Sequence, residues 1–176
     1  MVDNPAWQGA VPRLSVLIPF LRDDPRALLG ALDAQAPVGV EIVLLDDGSG
    51  DHALATGVGS VVQAMSCPTR FVRLTANEGR AKGRNRLARH ARARHFLFLD
   101  SDMLPDSADF LAAYLRLIDQ SDPAVAFGGF TVEQAPNSPR LALHRAMAAK
   151  SDCLPAARRR LQPEKTVFTS NLLIRR

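Results

Sequence analysis

The 176-residue chain is short of cysteine, of lysine and of long apolar runs, and each shortage excludes something. Its two cysteines, Cys67 and Cys153, stand far apart and match neither zinc nor redox spacing, so both are expected to remain reduced thiols. The four histidines (His52, His90, His95 and His144) lack metal-ligand spacing and read as surface or packing residues. No apolar run approaches the ~20 residues of a membrane span. The first residues also lack the basic-then-apolar pattern of a signal peptide, so the expectation is a cytoplasmic protein. Internal repeats and low-complexity tracts are absent. Lys82, Lys150 and Lys165 are the lysines among 22 basic residues, and the others are arginine. The planar arginine fork suits phosphate, although a coding bias toward arginine explains the same count. What is present, 47% apolar and 23% charged residues with a net charge of +4, is the composition of one globular domain.

Residues 1–12 are polar, carry two prolines and predict a loose lead-in. Leu14–Pro19 reads as a buried strand. Asp23-Asp24-Pro25 then opens a helix with Leu28, Leu29, Leu32 and Ala36 at helical spacing. Glu41–Leu45 is a second strand running into Asp46-Asp47-Gly48-Ser49-Gly50, followed by a helix from Asp51 to about Ala64. Phe71–Leu74 is a third strand. After the Asn77-Glu78-Gly79 turn, a helix is expected from Arg80 to about Arg94, with Leu87, Ala88, Ala91 and His95 facing inward. Phe96–Leu99 is a fourth strand. Pro105 and Asp106 open a helix to about Asp119, and Ala124–Val132 reads as a strand interrupted by Gly128-Gly129. Pro136–Pro163 is basic, alanine-rich and partly helical, and Val167-Phe168 and Leu172–Ile174 look strand-like. Alternating strands and helices predict an α/β fold with a parallel sheet flanked by helices.

Two of these apolar strands end in paired carboxylates, Asp46-Asp47 and Asp100-Ser101-Asp102. Such groups are costly to bury unless paired or bound to a cation. Open α/β sheets place ligand sites at the carboxyl ends of their strands. There the pairs would form a hard, oxygen-rich site suited to Mg²⁺ or Mn²⁺ holding a diphosphate. An Asp-rich turn, or helix capping by Asp47, Asp51 or Asp106, accounts for the same residues without a ligand. A Walker site is excluded, because Gly79–Arg86 lacks the Gly-Lys-Ser/Thr ending. A nucleotidyltransferase-like protein is disfavoured, because Pro19-Phe20-Leu21-Arg22 stands where its glycine-rich loop would follow the first strand. The basic run from Arg80 to Arg94 lacks interleaved aromatics, so it reads as a solvated helix face and no nucleic-acid partner is expected.

Five segments then occur in order: Ser15–Pro19, Leu44–Ser49, Asn77-Glu78-Gly79, Arg84-Asn85 and Phe98–Asp102. Together they resemble the donor-binding part of inverting, GT-A fold glycosyltransferases of family 2. The resemblance covers residues 13 to about 132, and Thr169–Arg176 resembles the acceptor-side strand. It implies a Rossmann-like sheet with a donor half over 13–132 and the start of an acceptor half over 133–176. It also implies a nucleoside-diphosphate sugar as donor, UDP-linked by preference, and a glycan or lipid-linked acceptor. Pro19 would lie under the nucleotide, Asp46 or Asp47 (preferably Asp47) would read the base, and Asn77, Gly79 and Arg84 would line the pocket. Asp100 would approach the ribose or a metal-bound water, beside Ser101. Asp102 would coordinate the Mn²⁺ or Mg²⁺ that bridges the phosphates. The general base of the family sits on a Glu-Asp motif past the acceptor-side strand, which places it beyond Arg176. Glu133 is the nearer alternative. The implied chain is therefore either part of a longer enzyme or a nucleotide-sugar-binding module without efficient transfer. Arg158-Arg159-Arg160 offers a contact to the inner face of a membrane, or is a solvated charge run.

Overall fold

The computed structural model describes every residue except Ala36 and residues 134–137, and every side chain in its helices and strands except that of His144. In chain order the elements are β1 (Val2–Asp3), β2 (Leu14–Phe20), α1 (Arg26–Asp33), β3 (Val40–Asp46), α2 (His52–Ala64), β4 (Thr69–Arg73) and α3 (Arg80–His90). They continue with β5 (His95–Leu99), α4 (Phe110–Ser121), β6 (Val125–Phe127), α5 (Ala142–Ser151), α6 (Ala156–Arg159) and β7 (Asn171–Arg175). The seven strands form one sheet in the order β1-β4-β3-β2-β5-β7-β6. Its central run β4-β3-β2-β5 is parallel, while β1, β7 and β6 are added antiparallel at the two sides.

Period-two alternation divides the central strands between two cores. Val16, Ile18, Ile42, Leu44, Leu97 and Leu99 pack with α1, α2 and α4 on one face. Leu17, Val43, Leu45, Phe96 and Phe98 pack with Leu87 of α3 and with Trp7 on the other. Burial on both faces explains why these strands read as continuous apolar runs in the sequence.

Several expectations change, most of them for a nameable reason. The lead-in is docked, not loose: β1 pairs with β4, and the Asn4 side chain donates to the Met65 and Cys67 carbonyls and accepts from Thr69 N–H. Trp7 is buried between the guanidinium groups of Arg70 and Arg92. Helix α3 stops at His90, not Arg94, because Glu41 and Ser15 capture the next amides: Arg92 N–H donates to Glu41 Oε1 and Ala93 N–H to Ser15 Oγ. His95 accordingly belongs to β5, not to the helix face. Helix α4 starts at Phe110, since the Gln35 amide accepts from Leu111 N–H and donates to the Ser107 carbonyl, holding 105–109 as a loop. The strand expected over Ala124–Val132 shrinks to Val125–Phe127, because Gly129 turns the chain at φ +81°. Phe71–Leu74 shifts to Thr69–Arg73, and Val167-Phe168 lies outside β7. The expected helical positions at Ala36 and Pro136 fall outside the described residues.

His95 is buried at the start of β5, its Nε2 3.0 Å from Asp122 Oδ1. Burial holds its pKa below the ordinary imidazole value, and the nearby Arg94 and Arg175 act the same way against Asp122. A folded-state pKa below the unfolded one gives stability that is complete above about pH 6.5 and is lost as the pH falls through the folded value. The melting temperature is therefore expected to fall between pH 7.5 and pH 5.5, and His95→Gln to flatten that fall, as thermal denaturation at the two pH values would reveal.

Candidate functional site

At the carboxyl ends of β2, β3 and β5 and the N-terminus of α3 lies a cavity of about 410 Å³. Pro19, Asp47, Asn77, Gly79, Arg84, Asp100, Ser101 and Asp102 line it, together with Phe20, Leu21, Asp23, Arg80 and Gly83. Eight residues singled out from sequence segments up to 83 positions apart thus converge on one space. Asp46 does not line it. As the last residue of β3 it is almost wholly buried, and its Oδ1 accepts from Ser49 N–H at 2.8 Å. Ser49 Oγ in turn accepts from Arg22 N–H at 2.8 Å, where Arg22 has a left-handed φ of 64°. Asp46 therefore shapes the turn, and through it the loop after β2.

Asp47 is held from the other side. Its Oδ1 accepts from Glu78 N–H and its Oδ2 from Gly79 N–H, both at 3.0 Å, which caps the entry to α3. A carboxylate has about four lone-pair sites, so two remain for a ligand N–H. Glu78 is itself clamped by two 2.6 Å bonds from Arg86, which hold its pKa below the usual carboxylate range. Gly48 is what lets the Asp46-Asp47 turn lie against residues 76–77. It has φ +77°, and a Cβ there would stand 2.3 Å from the Ala76 carbonyl carbon. Gly48→Ala is expected to cost on the order of 3 kcal/mol in a urea titration, through backbone collision and left-handed strain together.

Arg84 reaches across the cavity floor from α3, donating from Nη2 to Asp100 Oδ1 at 2.9 Å. Its Nε–H is buried and has no partner among the described residues. Asp102 is exposed and makes no hydrogen bond or ion pair among them. No three His, Cys, Asp or Glu side chains among the described residues form a ready metal cluster. That donor set does not fit an all-protein metal centre. It fits a hard divalent cation held by one or two carboxylates, Asp102 and the free oxygen of Asp100, with phosphate and water completing the shell.

The sequence profile of glycosyl transferase family 2 matches residues 15–176, nearly the whole chain. The chain belongs to glycosyl transferase family 2. An uncharacterized glycosyltransferase, YfnE of Bacillus subtilis (strain 168), is 30% identical over 123 residues, 67% of this chain and 30% of that protein. The mannosyltransferase PcManGT of Pyrobaculum calidifontis, solved with GDP-Man and Mn²⁺, superimposes with a TM-score of 0.64 at 18% identity, over all of this chain and 47% of its own. S. aureus TarS 1-349, solved with UDP-GlcNAc, gives a TM-score of 0.56 at 25% identity over 72% of this chain and 37% of its own. The family 2 chain thus spans less than half the length of these relatives, and the two solved structures share its GT-A fold.

A second cavity of about 880 Å³ adjoins the first, and Asp102 lines both. Sequence reasoning missed most of this second space in the family 2 chain. Its walls include Phe110 and Tyr114 of α4, Phe127, Gly128-Gly129, Phe130, Arg159 and Asn171. Asn171 organises it, accepting from the Tyr114 hydroxyl at 2.7 Å and donating to the Gly129 carbonyl at 2.8 Å. Gly128 is required there, since a Cβ would stand 2.3 Å from Tyr114 Oη and 2.4 Å from Asn171 Nδ2. The Gly-Gly pair and the Ser170-Asn171 pair that opens β7 were the available signals. Of the acidic residues after Asp102, Asp106 and Glu133 line this cavity, whereas Asp109, Asp119 and Asp122 are engaged by arginines elsewhere. Cys153 also lines it, while Cys67 is buried with its thiol pKa pushed up to about 12 by desolvation.

Proposed function

We propose that this chain binds the nucleoside diphosphate of a sugar nucleotide in the 410 Å³ cavity and serves inverting, metal-assisted glycosyl transfer to a glycan or lipid-linked acceptor. The observation that carries this reading is the convergence of Asp47, Asn77, Arg84, Asp100 and Asp102 on one space at the ends of parallel strands. In this reading Asp47 takes the N–H of the base, for which uracil N3–H is the preferred partner, with Pro19, Asn77 and Gly79 around the ring. Arg84 holds Asp100 toward the ribose beside Ser101, and Asp102 takes its place at the diphosphate. A bound Mn²⁺ or Mg²⁺ would supply Lewis-acid neutralisation of the departing diphosphate. The larger cavity, meeting the first at Asp102, is where an acceptor hydroxyl would approach the face of the sugar opposite the leaving group. Its general base is expected on an acidic motif following the acceptor-side strand, and Glu133 is the alternative within this chain.

Two ligand-bound fold neighbours support the donor class, one solved with GDP-Man and Mn²⁺ and one with UDP-GlcNAc. Isothermal titration of UDP and of GDP into the protein, with and without Mn²⁺, tests the reading. Binding of UDP that strengthens with the metal is expected. No binding of either nucleotide, or equal binding of unrelated nucleoside monophosphates, would overturn it.

A further inference from the structure

All eleven ion pairs among the described residues lie outside residues 138–167. Yet this segment holds seven cationic residues against two acidic ones, a net charge of +5 in a chain whose total is +4. Two of the seven are occupied: Arg145 donates to the Val132 carbonyl, and Arg159 donates to the Leu154 and Gly128 carbonyls beside Phe127. Arg140, Lys150, Arg158, Arg160 and Lys165 have no acidic partner among the described residues.

The same segment exposes large apolar side chains. Leu143 is 73% exposed, Met147 62% and Leu161 74%. On α5, Leu143, Ala146, Met147 and Lys150 follow the i, i+3, i+4, i+7 spacing of one helix face, and Arg140 lies one turn before it. Only Ala148 of α5 is buried among its described side chains. The helix thus presents an apolar stripe with a cation at each end, the pattern of an interfacial helix whose long basic side chains reach headgroups while the stripe enters the acyl boundary. A solvated charge run needs no apolar stripe, and cations flanking an apolar stripe match a surface that is anionic at its headgroups and apolar beneath them.

We propose that α5 and the basic turns after it dock this protein on an anionic lipid surface. The proposal extends the donor-site reading without depending on it, since nucleotide titration and vesicle binding are measured separately. The test is co-sedimentation with phosphatidylcholine vesicles, with and without phosphatidylglycerol. At least about tenfold more protein is expected on the anionic vesicles, falling away in high salt. Leu143→Ser/Met147→Ser and Arg158→Glu/Arg160→Glu are each expected to remove most of that binding while leaving nucleotide binding intact. For the unaltered protein, anionic vesicles are expected to slow amide hydrogen exchange over residues 140–151. Equal sedimentation with both vesicle types, no slowing of exchange, or full binding by the Leu143/Met147 variant would each overturn the proposal. So would a concentration-dependent dimer that the same variant abolishes, which would make the face a contact between two copies.

Discussion

Asp102→Ala is expected to weaken the metal-dependent part of nucleoside diphosphate binding by about a hundredfold, since a lost metal ligand removes several kcal/mol of charge neutralisation. The residual, metal-independent affinity should be unchanged, because in the proposed reading the base and ribose fall to Asp47, Asn77 and Asp100, which also line the cavity. Asp106→Ala is the matched control. Asp106 lines the larger cavity and not the smaller one, so its loss should leave the titration as it was. Equal effects of the two substitutions, measured by isothermal titration with and without Mn²⁺, would mean that general surface charge, not a site, was being measured.

The largest stability effect is expected at Arg92, far from that cavity. The Glu41 carboxylate is wholly buried, and its Oε1 accepts from Ser15 Oγ at 2.6 Å and from Arg92 N–H at 2.7 Å. Its Oε2 accepts from Arg92 Nε–H at 2.7 Å. The same guanidinium donates to the Trp7 carbonyl at 3.0 Å and stands 3.8 Å over the indole ring. Arg92→Met leaves Glu41 charged and buried without its cation, which costs about 3–5 kcal/mol. Adding Glu41→Leu should recover part of that loss, because an apolar pair no longer carries the desolvated charge. Urea denaturation of the two single variants and the double variant checks both statements. A loss below about 1 kcal/mol in Arg92→Met would place the pair among ordinary surface bridges.

This buried pair also shows where the sequence was legible and where it was not. The parallel core could be read because β2, β3 and β5 are continuous apolar runs, and a run buried on both faces leaves that mark. The smaller cavity could be read because β3 and β5 each run into carboxylates at their carboxyl ends, where topology alone gathers them. The ends of α2 could be read, with Asp51 as its cap, but the end of α3 and the start of α4 could not. Ala91 has good helix propensity, yet α3 stops there because Glu41, fifty residues earlier, takes the amide that another helical turn would need. The start of α4 moved for the same kind of reason, through the Gln35 side chain. Between Asp46 and Asp47 the sequence offered only a slight preference for Asp47. The turn at Gly48 separates them, committing one carboxylate to Ser49 and leaving the other on the cavity wall. The second cavity was the least legible, because its aromatic lining comes from α4 and from the residues around Gly128-Gly129, and neither segment alone carries a pattern.

The central claim is that the site joining the two cavities at Asp102 holds a divalent cation together with a nucleoside diphosphate. Crystals grown with UDP and Mn²⁺, measured at a wavelength where manganese scatters anomalously, test it most directly. The account predicts a single anomalous peak touching both Asp102 and the diphosphate, with the uracil ring against Asp47. A nucleotide seated in the larger cavity, or manganese bound away from Asp102, would contradict it.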